Sequence, residues 1–507
     1  MATELEMREI TKTFPGVLAN DNITLEVEKG EIHGLLGENG AGKSTLMNIL
    51  YGLYRQDSGE ILLRGKNVEI NSPKDAINLQ IGMVHQHFQL IPTLSVAENV
   101  VLGNEPTKGY GIQLDLNTAI TQVEKFSIDY GLKIDPNVLV QTLPVGIQQR
   151  VEIVKALFRG ASILILDEPT AVLTPQEVEE LFKTMNSLKE QGTTIVYISH
   201  KLKEVLTITN RITVLRNGKH VGTVQTRGTT PETLAQMMVG REVVLRVQKE
   251  SAKTKDILLD VQELYARDDR NIPIVNGVSF QVRHGEILGI AGVQGNGQTE
   301  LVEVLTGLRR AESGIIIISE NNVTNVTPRK MFEAGIAHIP EDRRQRGLVR
   351  DFSITENLIL GEHYHLPFSD GIFMNWDAAA QFAEQAIKEF DIRTPSKETL
   401  AASLSGGNQQ KLIVARELSN RNPELVIANQ PTRGLDVGAT EFVHSTLVKM
   451  RDLGKGVLLV SADLDEILSL SDRIAVIYEG RIVGFRDPQL TTPEELGLLM
   501  AGQVEDT

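Results

Sequence analysis

The chain repeats itself, and the repeat limits its fold more than any other feature. Lys29-Gly30-Glu31-Ile32-His33-Gly34-Leu35-Leu36-Gly37 returns as His284-Gly285-Glu286-Ile287-Leu288-Gly289-Ile290-Ala291-Gly292, about 255 residues later. Thr142-Leu143-Pro144-Val145-Gly146-Ile147-Gln148-Gln149 returns as Ser403-Leu404-Ser405-Gly406-Gly407-Asn408-Gln409-Gln410, and Tyr197-Ile198-Ser199-His200 as Leu459-Val460-Ser461-Ala462. Whatever one half folds into, the other must approximate. Periodicity fails between Arg241 and Lys255, where charged and polar residues dominate, so two domains are expected at 1–242 and 257–503 with a linker at 243–256.

The first half contains Gly37-Glu38-Asn39-Gly40-Ala41-Gly42-Lys43-Ser44-Thr45, between the apolar run Ile32 to Leu36 and the helix-like Leu46-Met47-Asn48-Ile49-Leu50. Strand, glycine-rich turn and helix in that order form a phosphate-binding loop. Glycines let successive N–H groups face a polyphosphate, and the helix start adds partial positive charge. Lys43 is expected to reach the β- and γ-phosphates and Ser44 to hold Mg²⁺. Around the loop, Ile23 to Val27 alternates like a strand with one wet face, and Gly59 to Gly65 reads as another strand. The stretch from about 92 to 160 reads as mostly helical. Ile163 to Leu166 is the continuous apolar run of a buried parallel strand, followed by a helix from about Pro175 to Gln191 and a strand over Thr194 to Ile198.

Composition narrows the function. At 507 residues the chain exceeds one core, and 51 basic against 66 acidic side chains give a net charge of −15, which argues against nucleic acid as main partner. Cysteine is absent, so thiolate metal sites and disulfides are excluded. No stretch approaches the roughly 20 apolar residues of a membrane span, and the N-terminus lacks an export signal, so no direct membrane insertion is expected. His85, His87 and His338 read as packed or surface histidines, without zinc-ligand spacing.

Taken together, the phosphate loop, Gln86 in Met83-Val84-His85-Gln86-His87-Phe88, Asp167-Glu168, His200 and Leu404-Ser405-Gly406-Gly407-Asn408-Gln409-Gln410 resemble the ATP-binding subunits of ABC transporters, specifically the fused tandem ATPases of bacterial sugar and nucleoside importers. The resemblance implies an α/β fold: two tandem P-loop ATPase domains, each with a mixed or parallel sheet core, an antiparallel β subdomain and a helical subdomain. It implies ATP and Mg²⁺ as cofactors and assigns roles by position. Phe14 would stack on adenine; Gly37, Glu38, Asn39, Gly40, Ala41, Gly42, Lys43, Ser44 and Thr45 would wrap the phosphates; Ser44, Gln86 and Asp167 would hold the metal. Glu168 would polarise the attacking water, with His200, Gln86 and Lys43 completing the catalytic set. In the family two halves pair head to tail, so Ser405, Gly406, Gly407 and Asn408 would cap the γ-phosphate from the far side.

The halves are not equal. The second loop, Gly292-Val293-Gln294-Gly295-Asn296-Gly297-Gln298-Thr299, has Gln298 in place of Lys43. Asn429-Gln430 replaces Asp167-Glu168, Ala462 replaces His200 and Asp269 replaces Phe14. The first half instead has the altered signature, Pro144 standing where Ser405 does, although proline also suits a helix's first turn. The loop after the acidic strand is standard at Gly434-Leu435-Asp436, but Ala171-Val172-Leu173-Thr174 has lost the aspartate. Under head-to-tail pairing every loss falls in one site, leaving one hydrolytic site per chain. Glu341-Asp342-Arg343-Arg344 lies near the counterpart of Gln86 and is read as a contact with a membrane subunit.

The resemblance implies an ATPase at the cytoplasmic face of the cell membrane, partnered by two transmembrane permease subunits and, indirectly, by an extracytoplasmic solute-binding protein. Nucleosides are the expected solute, with ribose- or galactose-type monosaccharides as the alternative. A soluble tandem ATPase acting on ribosomes is the rival of another class; the short linker, lack of cysteine, single intact site and negative charge disfavour it.

Overall fold

The computed structural model describes residues 3–85, 88–108, 113–170, 173, 175–241, 249–419, 421–500 and 502. The chain divides into two compact units, 1–243 and 244–507. Residues 242–248, on which part of the expected linker falls, lie outside the described ones.

In the first unit the strand Ile32–Leu36 is buried at all five residues. It lies third in a six-stranded sheet ordered Lys219–Gln225, Arg211–Arg216, Ile32–Leu36, Thr194–Ser199, Ile163–Asp167 and Ile81–Val84. The pairings are parallel apart from the antiparallel edge pair Arg211–Arg216 and Lys219–Gln225. Both faces of the central strands are covered, which is why they read as unbroken apolar runs. A four-stranded antiparallel sheet, ordered Val17–Glu28, Thr3–Phe14, Ser58–Leu63 and Lys66–Val68, packs against it. Leu5, Met7, Ile23 and Leu25 from that sheet share a core with Leu46 and Leu50 of the loop helix and Ile165 and Val196 of the large sheet. The phosphate loop is thus clamped between two sheets.

The region from 92 to 160 contains the helices Val96–Val101, Leu116–Asp129 and Val145–Phe158. It also contains an antiparallel pair, Thr107–Lys108 with Gln113–Leu114, which the helical reading does not anticipate because these short polar segments have no apolar period.

The second unit repeats this plan. Its large sheet runs Ile336–Ile339, Leu425–Asn429, Gly456–Ser461, Ile287–Ala291, Arg473–Tyr478, Arg481–Arg486, and its antiparallel sheet runs Pro273–Arg283, Ile257–Arg267, Ser313–Ile318, Asn321–Asn322. The likeness extends to local detail. The helices Val96–Val101 and Ile354–Ile359 both open with a reciprocal capping box, Ser95 with Glu98 and Ser353 with Glu356. A fully buried asparagine follows each, Asn99 and Asn357. Asn99 accepts from Ile91 N and donates to the carbonyls of Ile91, Leu94 and Ser95; Asn357 does the same with Val349, Phe352 and Ser353.

Candidate nucleotide site

The first phosphate loop leaves Ile32–Leu36 and enters the helix Lys43–Leu50 through Gly42 at φ 97°. A Cβ on Gly42 would lie 2.4 Å from the Ala19 carbonyl oxygen, so only glycine lets the loop pass that strand. Asn20 Nδ2 fixes the same point by donating to Gly42 O at 3.0 Å. At Gly40, φ 83°, a Cβ would meet nothing within 4 Å, so the loop has an open concave face. Lys43 is buried, and its Nζ donates to the carbonyls of Gly37 at 2.7 Å and Glu38 at 3.0 Å. The ammonium therefore already lies over the loop.

The strand Ile163–Asp167 brings its C-terminal end to the same place. Asp167 is buried, with the Ser44 hydroxyl beside it. Burial and then the neighbouring Glu168 charge raise its pKa, against the nearby Ser44 hydroxyl and the Lys43 charge. Glu168 is held at φ 48°, in the left-handed region, by its N–H bond to Ile198 O at 3.0 Å. His200 follows the adjacent strand Thr194–Ser199 and places Nδ1 2.8 Å from Glu168 Oε1. Burial pushes the Glu168 carboxyl up, but the His200 bond and the charges of His200, Lys43 and Lys201 outweigh it and hold the pKa below its ordinary value. Glu168 is therefore a carboxylate at neutral pH, the form a base needs. Hydroxyl and carboxylate oxygens beside an open loop are the donor set of a hard cation, so Ser44 and Asp167 fit Mg²⁺.

Phe14, half-buried, meets the edge of Tyr54 at 5.3 Å between ring centroids. Asp57 pins the strand end by accepting from Thr13 N at 2.7 Å and Lys12 Nζ at 2.8 Å. Gln86, His87, Ala171, Val172 and Thr174 lie outside the described residues. The structure thus gathers Lys43, Ser44, Asp167, Glu168 and His200 at one end of one sheet.

In the second unit, Ser405 caps the helix Gly406–Leu418. Its Oγ accepts from Asn408 N at 3.4 Å and Asn408 Nδ2 at 3.0 Å, and it remains exposed. Gly407 is buried, where a Cβ would come within 3.1 Å of Ala439. Asp436 caps the following helix Val437–Asp452 by accepting from Ala439 N at 2.9 Å. In the first unit Pro144 is the residue before the helix Val145–Phe158, with no side-chain cap. It is not a first-turn residue, as proline's helix preference suggests; it occupies the capping position itself and cannot fill it.

Gln298 stands at the start of the second loop helix, Gln298–Leu305, after Gly297 at φ 94°. Asn429 is buried at the end of Leu425–Asn429, and Gln430 keeps the left-handed backbone at φ 48°, with its N–H on Val460 O at 2.8 Å. Where the first unit sets Phe14 against Tyr54, the second sets Asp269 against Arg309 at 2.7 Å. The segment read as a membrane-subunit contact makes bonds inside its own unit: Arg343 Nη1 donates to Arg433 O at 2.8 Å, and Asp342 caps the turn over Arg343–Gly347. Tyr54, Arg309, Asn99 and Asn357 are missing from the sequence-based site. The last pair could have been found by aligning the halves, Ser95-Val96-Ala97-Glu98-Asn99 with Ser353-Ile354-Thr355-Glu356-Asn357.

Two sheets clamping a glycine loop occur twice in this chain, with an acidic strand end alongside the first, and define a tandem phosphate-loop ATPase. Residues 20–171 and 275–433 match the ABC transporter family. The guanosine import ATP-binding protein NupO of Bacillus subtilis (strain 168) is 53% identical over 501 residues, 99% of this chain and 98% of that protein. The nucleoside import ATP-binding protein NupA of Lactococcus lactis subsp. cremoris (strain MG1363) is 50% identical over 500 residues, 99% and 98%. The glucose import ATP-binding protein TsgD13 of Haloferax volcanii is 46% identical over 526 residues, 98% and 96%. The chain belongs to the ABC transporter family, as an ATP-hydrolysing member with two nucleotide-binding folds.

Proposed function

We propose that the chain powers import of nucleosides, docked at the cytoplasmic face of the membrane on two transmembrane permease subunits that an external solute-binding protein supplies. Identities of 53% and 50% to relatives named for guanosine and nucleoside import, over nearly the whole of each chain, support nucleosides above monosaccharides; the 46% identity to a glucose import protein makes glucose the control solute. Among the described residues no helix is long and apolar enough to cross a membrane, so the transport path belongs to partners.

The observation that carries the catalytic reading is the Glu168–His200 pair beside Lys43 and the Ser44–Asp167 pair. Glu168 accepts a proton from the attacking water as it closes on the γ-phosphorus. His200 holds the carboxylate in direction through Nδ1. Lys43 leaves the Gly37 and Glu38 carbonyls and neutralises charge building on the phosphate oxygens. Ser44, Gln86 and Asp167 would hold Mg²⁺, which would supply positive charge against the phosphates. Phe14 stacks on adenine, and the glycine loop from Gly37 to Thr45 wraps the phosphates. By the family's head-to-tail pairing, the signature residues Ser405, Gly406, Gly407 and Asn408 cap the γ-phosphate, and one site per chain hydrolyses.

The test is ATP turnover and solute uptake by the assembled transporter. Glu168→Gln lowers turnover by about 10²–10⁴-fold, the usual worth of a general base, while Gln430→Ala retains most of it. Equal losses would refute the asymmetry, and uptake of glucose without uptake of nucleosides would refute the solute.

A further inference from the structure

The catalytic set leaves one basic turn of the second unit without a task, Arg343–Gly347 after the strand Ile336–Ile339. From Ile339 to Val349 is ten positions and from Val84 to Ile91 seven, although both connections end on an N–H that a buried asparagine accepts. The second unit thus carries three residues more, and they form a turn against the signature helix Gly406–Leu418. Arg416 Nη1 of that helix donates to Gly347 O at 2.8 Å, and a Cβ on Gly347 would come within 2.5 Å of Ile413 Cδ1. So held, the turn delivers Arg343 to the start of the helix. Its Nη2 lies 3.6 Å from where Gly406 would carry a Cβ and 3.6 Å from the same point on Gly434.

That is the wrong end of a helix for a cation, because the N-terminus is itself partly positive. Nor is the charge answered on the spot. Arg433 is paired, with Glu341, but no carboxylate lies within ion-pair distance of Arg343 among the described residues. Arg343 Nη1 donates to Arg433 O at 2.8 Å, while Nε and Nη2 donate to no group among those residues. Burial and then the Arg344 charge pull the guanidinium pKa down, Arg433 adds to this, and Asp342 and Asp436 oppose it. An arrangement that costs stability in the free unit is relieved when an anion arrives. The first unit has none of these parts: no arginine occurs between Gln86 and Ile91, and Ala171 and Val172 stand where Arg433 and Gly434 do. The cation accompanies the signature that keeps its serine.

We propose that Arg343 is a further catalytic residue of ATP hydrolysis, donating from its free guanidinium edge to the phosphoryl group that the signature residues Ser405 to Asn408 cap. The inference rests on that reading of the signature. Lys43 supplies positive charge from the first loop, and Arg343 supplies it from the signature side, where charge on the phosphoryl oxygens grows as the bond to the leaving group breaks. Because the turn is fixed against the helix by Gly347 and Arg416, the guanidinium needs little reorganisation when that charge develops.

The test is ATP turnover by the assembled transporter, with inhibition by orthovanadate, which with ADP mimics the phosphoryl group in flight. Arg343→Met lowers kcat by about 10²-fold, the scale of one lost oxyanion-type donor. It weakens orthovanadate inhibition at least tenfold and leaves KM for ATP nearly unchanged, since the nucleotide is held by the first loop. Arg343→Lys, which keeps the charge without the fork, recovers at least tenfold of the lost rate, and Arg344→Met, at the exposed neighbour, turns over like wild type. The denaturation midpoint of Arg343→Met stays level or rises, because a cation has left a helix N-terminus. Turnover near wild type in Arg343→Met, or orthovanadate inhibition unchanged, would overturn the proposal. So would equal losses in the Met and Lys variants, or a midpoint that falls with the rate; either would make Arg343 a brace. Ser405→Ala, run in parallel, separates the two readings: normal turnover in both Ser405→Ala and Arg343→Met counts against the signature's role itself, whereas a loss in Ser405→Ala alone removes only Arg343.

Discussion

Glu168 and Gln430 share a backbone conformation and share no chemistry. Both are left-handed near φ 48°, and both N–H groups bond the next strand, to Ile198 O and Val460 O. A non-glycine residue in that region costs roughly 1–2 kcal/mol. Gln430→Gly should therefore raise the stability of the full chain by about 1 kcal/mol with turnover nearly intact, read as an upward shift in the denaturation midpoint. A loss of stability would show that the Gln430 side chain is held by contacts that outweigh the strain. His338 offers a pH test at the same scale. Burial lowers its pKa from 6.5 to about 4, and its Nε2 is sealed off without a partner. Between those values the unfolded chain binds a proton that the folded chain refuses, so stability falls as pH drops from 6.5 toward 4. His338→Leu should lessen the loss between pH 7 and pH 5 by roughly 2 kcal/mol. An unchanged pH dependence would place the acid sensitivity elsewhere. The sequence reads His338 as packed or surface; that it is sealed off depends on neighbours such as Glu417, Arg416 and Arg346, distant in sequence.

At the scale of elements, the sequence carried the strands and the loop helix because burial on both faces forces continuous apolar runs such as Ile163 to Leu166. It did not reveal the pair Thr107–Lys108 and Gln113–Leu114, two residues each and exposed throughout, where no burial imprints a pattern. Nor did it reveal Asn99 and Asn357, since a polar residue in a short helix reads as surface until its backbone partners are known. Each satisfies one backbone N–H and three carbonyls where the chain turns into a helix. Asn357→Ala should cost about 3 kcal/mol, because buried backbone groups left unpaired are penalised more than a bond is worth, while the exposed Asn321→Ala should stay within about 0.5 kcal/mol. Denaturation midpoints of the two variants check this; similar values would mean that water replaces the amide.

At the scale of the molecule, the duplication was the most legible feature, and the chemical inequality of the copies was nearly as clear, because replacing Lys43 by Gln298 or Asp167 by Asn429 changes charge rather than shape. Glu341, by contrast, was legible only as lying near the counterpart of Gln86; its hydrogen bond from Thr299 needed the folded chain. The inequality extends to the helix starts, Ser405 capping one and Pro144 leaving the other uncapped. Ser405→Ala should lower turnover of the assembled transporter by about 10²-fold, the scale of one lost oxyanion-type donor, whereas Pro144→Ala should change it little. Equal effects would separate the helix starts from catalysis. One further consequence follows from the way Glu168 leans on His200 at 2.8 Å. Restoring an acid at Gln430 alone would revive a side chain with the right aim, but with Ala462 giving it no support and Gln298 giving the phosphate no counter-charge. With the second site idle, as proposed, no single reversion brings a gain that selection could see, and a lineage that lets one of its twin engines go cold has no gradual way to relight it.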